Sequence, residues 1–285
     1  MTSSGQAIVL VAVDGSRESM RALPLARTVA AQLHCVPNVL HVATAQLPQE
    51  GVRANLGLDL PELKDLSLRL CVGDPAECIL DEAGGPEVQL LVMTTVAAGD
   101  PDRELGSVAM RVALGTSRPL LGLRPEVGME PSAVAPPLNR LLLPLDGSRS
   151  TASALRPVTS LARRLGASVD VVYIVPAGAP PPGGPRGSIV APRYVDQPQH
   201  EWGTWATEIK ERLLVECAGF APGADVDVQV RQGEPAAEIV RLAREGRYDA
   251  VVLVRRSRLE PGRAGILRKV IQESPCPLLI VGGPE

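Results

Sequence analysis

The sequence predicts an α/β protein made of two doubly wound, five-stranded parallel-sheet domains in tandem. Three observations predict it. The stretch VAVDGSRESMRAL at residues 11–23 returns as LLPLDGSRSTASAL at residues 142–155. In both halves, short β-branched apolar runs alternate with segments of helical spacing. A Pro-rich, non-periodic stretch at residues 124–137 lies between them, as a linker would. Strands joined in this way run parallel through right-handed crossovers, and such sheets take ligands beyond their carboxyl ends, where the winding reverses. The expected division is residues 1–128, a linker at 129–138, and residues 139–285 with an insert at 176–203.

The elements follow in order. AIVLVAV, residues 7–13, reads as a buried strand that Asp14-Gly15-Ser16 breaks. A helix is expected over residues 16–33, kinked at Pro24. VPNVLHV is the second strand, followed by a connection containing Pro and Gly. LSLRLCV is the third, and it leads into GDPAECILDEAG. There Asp74 is an N-cap, Pro75 takes the first helical position, and Gly84 closes the helix. VQLLVMTT, GSVAMRVALG and PLLGLRP supply the fourth strand, fourth helix and fifth strand.

The second half keeps this order. Its strands are RLLLPL, SVDVVYIV, VDVQVRQ, DAVVLV and PLLIV, and GEPAAEIVRLAREG repeats the capped helix. The offset grows from 132 residues at the first strand to about 160 at the third helix. The added length is the segment containing PAGAPPPGGPRGS, too rich in Pro and Gly to pack regularly. A helix over about residues 200–217 follows it.

Composition excludes several functions. The 285 residues are 45% apolar with a net charge of −3, which suits a globular chain and not a nucleic-acid binder. Aromatics at 2% leave little for stacking bases. No apolar run reaches the roughly 18–20 residues of a membrane span. MTSSGQA has no charged n-region, so a cytoplasmic protein is expected, with no membrane or nucleic-acid partner. The five cysteines, Cys35, Cys71, Cys78, Cys217 and Cys276, contain no C-x-x-C pair and read as reduced core thiols.

The series strand–DGS–helix, LHV, GDPAE, LGSVAMRV and SRPLLGLRP resembles a universal stress protein domain. With its second copy, the chain resembles a tandem member of that family over nearly its whole length. The resemblance implies a Rossmann-like, adenine nucleotide alpha hydrolase-like fold. It also implies that members divide into those that bind ATP and those that do not. In binders, strand four runs into Gly-x-x-Gly, nine residues, then Gly-Ser or Gly-Thr. Glycines let backbone N–H groups approach phosphates, and a helix N-terminus adds partial positive charge.

In the first half the resemblance assigns Val13, Asp14, Gly15, Val42, Gly106, Ser107 and Val108 to a nucleotide crevice. Asp14 would meet the nucleoside, Val42 the adenine, and Gly106-Ser107 the phosphates. The preceding loop departs from the pattern. Val96 and Met93, or Ala97 and Thr94 with one gap, stand where the glycines belong, beside Asp100, Asp102 and Glu104. Those carboxylates repel a triphosphate unless a divalent metal intervenes. In the second half the assigned residues are Asp146, Gly147, Ile174, Arg255, Arg256 and Gly265. There Ala264-Gly265 or Gly265-Ile266 replaces Gly-Ser, and Arg258 and Arg263 add to a basic loop. The implied ligand is ATP or another adenine nucleotide, with Mg²⁺ only alongside it.

Blander roles compete. Asp14 and Asp146 also suit helix capping, Gly15 and Gly147 a tight turn, and Ser107 a helix start. His41 reads as a satisfied strand-end histidine, and Trp202 and Trp205 as anchors of their own helix. No G-x-S-x-G, H-E-x-x-H or Walker pattern is present, so no enzyme is expected. Two functions remain: a stress-response regulator or sensor with adenine-nucleotide-type crevices whose motifs are degraded, or a ligand-free module for an unidentified protein partner. The apolar fifth strands, Pro119–Leu123 and Pro277–Val281, would be exposed edges. An internal pseudo-dimer through them is expected, with a homodimer of the whole chain left open.

Overall fold

A computed structural model describes residues 6–43, 45–46, 48–61, 63–64, 66–95, 106–145, 154–175, 202–220, 226–255 and 261–282. The chain divides into two compact units: Met1–Leu138 with Pro277–Ile280, and Asn139–Cys276 with Val281–Glu285.

The first unit contains β1 (Ile8–Val13), α1 (Arg17–Met20), α2 (Leu23–Gln32), β2 (Val36–Ala43), α3 (Gln49–Asn55), β3 (Ser67–Val72), α4 (Pro75–Ala83), β4 (Val88–Thr94), α5 (Ser107–Gly115) and β5 (Leu120–Leu123). Its strand order is β3-β2-β1-β4-β5, with parallel pairing throughout. The chain winds outward from β1 to β3, then returns to β4 on the other side. The winding therefore reverses between β1 and β4. Every residue of β1 is buried, as a central parallel strand covered on both faces requires. Leu278, Leu279 and Ile280 pair antiparallel with Gly122, Leu121 and Leu120 of β5.

The second unit contains β6 (Arg140–Leu145), α6 (Leu155–Leu165), β7 (Ser168–Val175), α7 (Trp202–Phe220), β8 (Val226–Gln232), α8 (Pro235–Glu245), β9 (Ala250–Arg255) and α9 (Pro261–Glu273), while the last strand, β10 (Leu278–Gly282), has Leu278–Ile280 in the first unit. The order β9-β6-β7-β8 matches β4-β1-β2-β3 of the first unit. One detail of the repeat goes beyond strand order. Asp74 caps α4 and pairs with Arg111 of α5 at 2.9 Å. Glu234 caps α8 and pairs with Lys269 of α9 at 3.1 Å. Both units thus tie the corner after their third strand to their last helix.

Several expectations need correction. The helix expected over 16–33 is two helices, with a break at Arg21 and Ala22. Pro24 lies in the first turn of α2, where a missing N–H costs nothing, so it starts a helix instead of kinking one. The connection after β2 contains α3, which lacks apolar periodicity because only Val52 of it is buried. The segment read as a linker packs onto α2. Thr28 donates to the Ala135 carbonyl at 2.8 Å, and Gln32 exchanges two hydrogen bonds with the Leu138 backbone. Nor are all cysteines reduced, because Cys71 and Cys78 form a disulfide. Cys276 fits the core-thiol reading, since burial pushes its pKa up to about 11.

Candidate functional site

The crevice of the first unit opens at the switch point, beyond the carboxyl ends of β1, β2 and β4. Its volume is about 160 Å³, and Val13, Asp14, Val42, Gly106, Ser107 and Val108 are among its lining residues. These six come from three parts of the sequence that the fold brings together.

The Asp-Gly-Ser corner is built from local hydrogen bonds. The Asp14 carboxylate accepts from the Ser16 amide at 2.8 Å, closing an Asx turn. Gly15 between them adopts φ +88°, which an L side chain resists. Ser16 then caps α1 by accepting from the Ser19 amide, and the Ser19 hydroxyl accepts from the Asp14 amide at 3.2 Å. A side chain at Gly15 would point toward Leu56 and His41. Gly15 is not among the residues lining the crevice, and its positive φ serves the turn. The His41 ring donates from Nδ1 to the Val13 carbonyl at 3.1 Å, tying β2 to β1.

Partial burial works against ionisation of Asp14, but hydrogen bonds from Ser16 and Ser19 outweigh it and hold the carboxyl below its ordinary value. A carboxyl lowered in the folded state adds stability above its unfolded pKa, and that stability is lost as pH falls through the folded value. Asp14→Asn is therefore expected to flatten the acid limb of the first unit's stability below about pH 4. Denaturation curves at pH 3 and pH 7 measure it.

The opposite wall is the start of α5. Gly106 is its N-cap and supplies no side-chain bond, while its amide donates to the Thr95 carbonyl at 2.8 Å. The amides of Ser107, Val108 and Ala109 precede the first intrahelical donor, Met110. Those residues line the crevice. Uncapped N–H groups of this kind suit an anionic or strongly polar ligand group.

Sequence reasoning missed part of the wall. Pro75 and Ile79 of α4 line it, although GDPAE reads only as a capping signal. Met93, Thr94 and Thr95 line it as well, and the Thr95 hydroxyl oxygen is buried without a hydrogen-bond partner among the described residues. A buried orphan hydroxyl is costly unless a ligand or water meets it. The available signal was that the apolar run Leu90–Met93 gives way to two threonines, Thr94 at the end of β4 and Thr95 just past it.

In the second unit Asp146, Gly147 and Arg256 lie outside the described residues, as do the loop carboxylates Asp100, Asp102 and Glu104 of the first. The side chains of Trp202 and Trp205 also lie outside them. Ile174 is buried near the end of β7, and Arg255 ends β9. α9 begins at Pro261, so Gly265 is its fifth residue. Pro261 is pre-set for a first helical position, and it starts the helix a turn earlier than the repeat suggests. Among the described residues no cluster of acidic, His and Cys side chains could hold a metal ion, and no helix is long and apolar enough to cross a membrane.

Comparison with known proteins gives a consistent result. The model of the universal stress protein family matches residues 137–282. Universal stress protein YxiE of Bacillus subtilis is 28% identical over 147 residues, covering 50% of this chain and 98% of that protein. Among solved structures, a universal stress protein from Archaeoglobus fulgidus superposes with a TM-score of 0.61 at 16% identity, covering 96% of this chain and 98% of that one. A functionally unknown protein from Pseudomonas aeruginosa gives 0.63 at 14% identity, with 98% and 93% covered. At such identities the structural likeness speaks to the fold alone.

Proposed function

We propose, because the chain belongs to the universal stress protein family, that it is a tandem member whose first unit senses an adenine nucleotide. It would act as a cytoplasmic stress-response regulator, with the bound nucleotide shifting which surfaces are presented. The observation that carries this is the convergence of Asp14, Val42 and the uncapped α5 start with Ser107 on one crevice. Asp14, held ionised, would accept from ribose hydroxyls. Val42 and Val13 would flank the base, and the α5 amides with the Ser107 hydroxyl would meet phosphate. Thr95, whose hydroxyl has no partner among the described residues, fits a polar ligand. Mg²⁺ would arrive with the nucleotide. No catalytic step is assigned.

A second reading has its own support. Met93 and Thr94 line the crevice where the binders' pattern has a glycine, and a side chain there takes space and withholds a backbone approach. On that reading the unit is a ligand-free module for a protein partner. Nucleotide released on denaturing the purified chain, and calorimetry with ATP and magnesium, separate the two. We expect heat on titration, lost in Val42→Trp, which fills the crevice, with the far-UV circular dichroism unchanged. A chain that releases no adenine nucleotide and gives no heat is the ligand-free module.

Assembly belongs to the same reading: pairing between Pro119–Leu123 and Pro277–Val281 would make a homodimer less necessary. A light-scattering mass of one chain is the expected result, and a mass of two chains counts against it.

A further inference from the structure

The disulfide joins two elements that differ in what they do. Cys71 is on β3, the outermost strand of the first unit's order, and Cys78 is in the first turn of α4, seven residues on. The bond closes over Val72, Gly73, Asp74, Pro75, Ala76 and Glu77. Two of the residues it holds, Pro75 inside the loop and Ile79 just past it, are crevice wall. The same corner is tied to α5 through Asp74 and Arg111. Cys71 is partly exposed and Cys78 is 6% exposed, so one sulfur is open to a small thiol and the other is shielded.

The second unit provides an internal comparison. Its matching corner, GEPAAEI, has Arg231 at the position of Cys71 and Glu238 at that of Cys78. The Arg241 hydrogen bond first, and the Arg231 charge with it, hold Glu238 below its ordinary pKa. One unit thus joins these positions by a covalent bond between sulfurs, whereas in the other Glu238 pairs with Arg241 at 2.6 Å and Arg231 donates to Gln229. Only the covalent form responds to redox conditions.

We propose that Cys71 and Cys78 are a redox-modification site that sets the rigidity of the crevice wall in the first unit, with no counterpart in the second. The partners are a small-molecule thiol and its disulfide. In reduction, a small-molecule thiolate attacks the partly exposed Cys71 sulfur. The Cys71–Cys78 bond breaks, and Cys78 leaves as a thiolate and takes a proton. A second small-molecule thiolate then attacks the mixed disulfide, releasing the Cys71 thiol and a small-molecule disulfide. Two electrons pass to the protein, and the reverse sequence re-forms the bond. In a reducing compartment such a bond is not permanent; it forms when the redox poise shifts. Control of nucleotide affinity by this site rests on the proposed nucleotide reading, whereas control of the wall does not.

The test uses the full chain, with amide hydrogen exchange measured before and after dithiothreitol. Reduction is expected to raise exchange at Glu77–Ile79 and at Met110 of α5 by about tenfold. The matching segment Ala237–Ile239 should stay unchanged. Exchange that is unaltered in both units, or altered equally in both, overturns the proposal. So does failure to recover a Cys71–Cys78 cross-linked peptide after treatment with oxidised glutathione. The double variant Cys71→Arg/Cys78→Glu imports the residues that the second unit has at these positions, and its exchange should ignore dithiothreitol. Sensitivity in that variant would also count against the proposal. If it does not fold, Cys71→Ser/Cys78→Ser should show the fast exchange of the reduced chain under all conditions. In parallel, ATP with magnesium should bind several-fold more weakly to the reduced chain. Absence of binding in both states removes the nucleotide reading and leaves the exchange result to decide the redox site.

Discussion

Asp170→Ala is expected to destabilise the second unit by about 3 kcal/mol. Asp170 is the third residue of β7, 5% exposed, in a strand whose residues after Ser168 are otherwise buried and mostly apolar. Its Oδ2 accepts from the Tyr248 hydroxyl at 2.6 Å and from Arg140 Nη2 at 2.5 Å. The Arg140 guanidinium also sits 4.6 Å over the Tyr248 ring and donates to the Gly246 carbonyl. The carboxylate is thus the common acceptor of a small network. Truncation leaves a buried phenol and a cation without their shared partner, which costs far more than an exposed pair would. Tyr248→Phe should cost only about 1 kcal/mol, because Asp170 keeps Arg140. Urea denaturation, with exchange protection along β7 identifying the unit, measures both variants.

The same network makes a prediction about alkaline pH. Burial first, then the hydrogen bond and charge of Asp170, push the Tyr248 pKa up to about 12. An acid whose pKa is raised on folding adds stability that is complete below its unfolded value, near 10 for tyrosine, and lost as pH rises through the folded value. Stability should therefore fall between about pH 10 and 12. Asp170→Ala should bring the late phenolate titration down, read at 295 nm as one of three tyrosines.

The sequence carried the sheet plainly, because a strand buried on both faces needs an apolar run, and β1 is one throughout while β4 and β6 hold one in Leu90–Met93 and Leu141–Leu145. It carried α4 equally well, since Asp74, Pro75 and Gly84 each act within one turn of chain. What it concealed depends on contacts between distant segments. Pro24 has the same chemistry in a kink and at a helix start, and only the break at Arg21 decides between them. α3 buries one residue, so it has no periodicity to see. Cys71 and Cys78 are seven apart, a spacing that means nothing until a strand end and a helix start are known to face each other. In the site, the corner at Asp14 and the start of α5 were legible as local turn chemistry. The roles of Pro75, Ile79 and Thr95 were not, because each follows from where a neighbouring strand ends.

Gly122→Ala is expected to cost the first unit about 2 kcal/mol, against the small gain alanine usually brings to a strand. Gly122 is flanked on both sides, by Met93 of β4 and by Leu278 of β10. A Cβ built there would lie 2.8 Å from the Thr95 Cγ2 methyl. Two ladders hold the glycine backbone, and Thr95 is itself fixed through its amide to the Leu123 carbonyl at 2.9 Å. Its side chain is short and β-branched, so it cannot swing aside without leaving its rotamer. The clash therefore passes to Thr95, a residue of the crevice wall with a buried hydroxyl that has no partner among the described residues. Thr95→Ser deletes the offending methyl and keeps the hydroxyl. Combined with Gly122→Ala it should recover most of the lost stability, a coupling of about 1–2 kcal/mol in a double-mutant cycle. Additive losses would mean that the glycine is needed for its backbone alone. If the coupling is present and Gly122→Ala also weakens ATP binding that the double variant restores, the placement of the Thr95 hydroxyl governs the crevice.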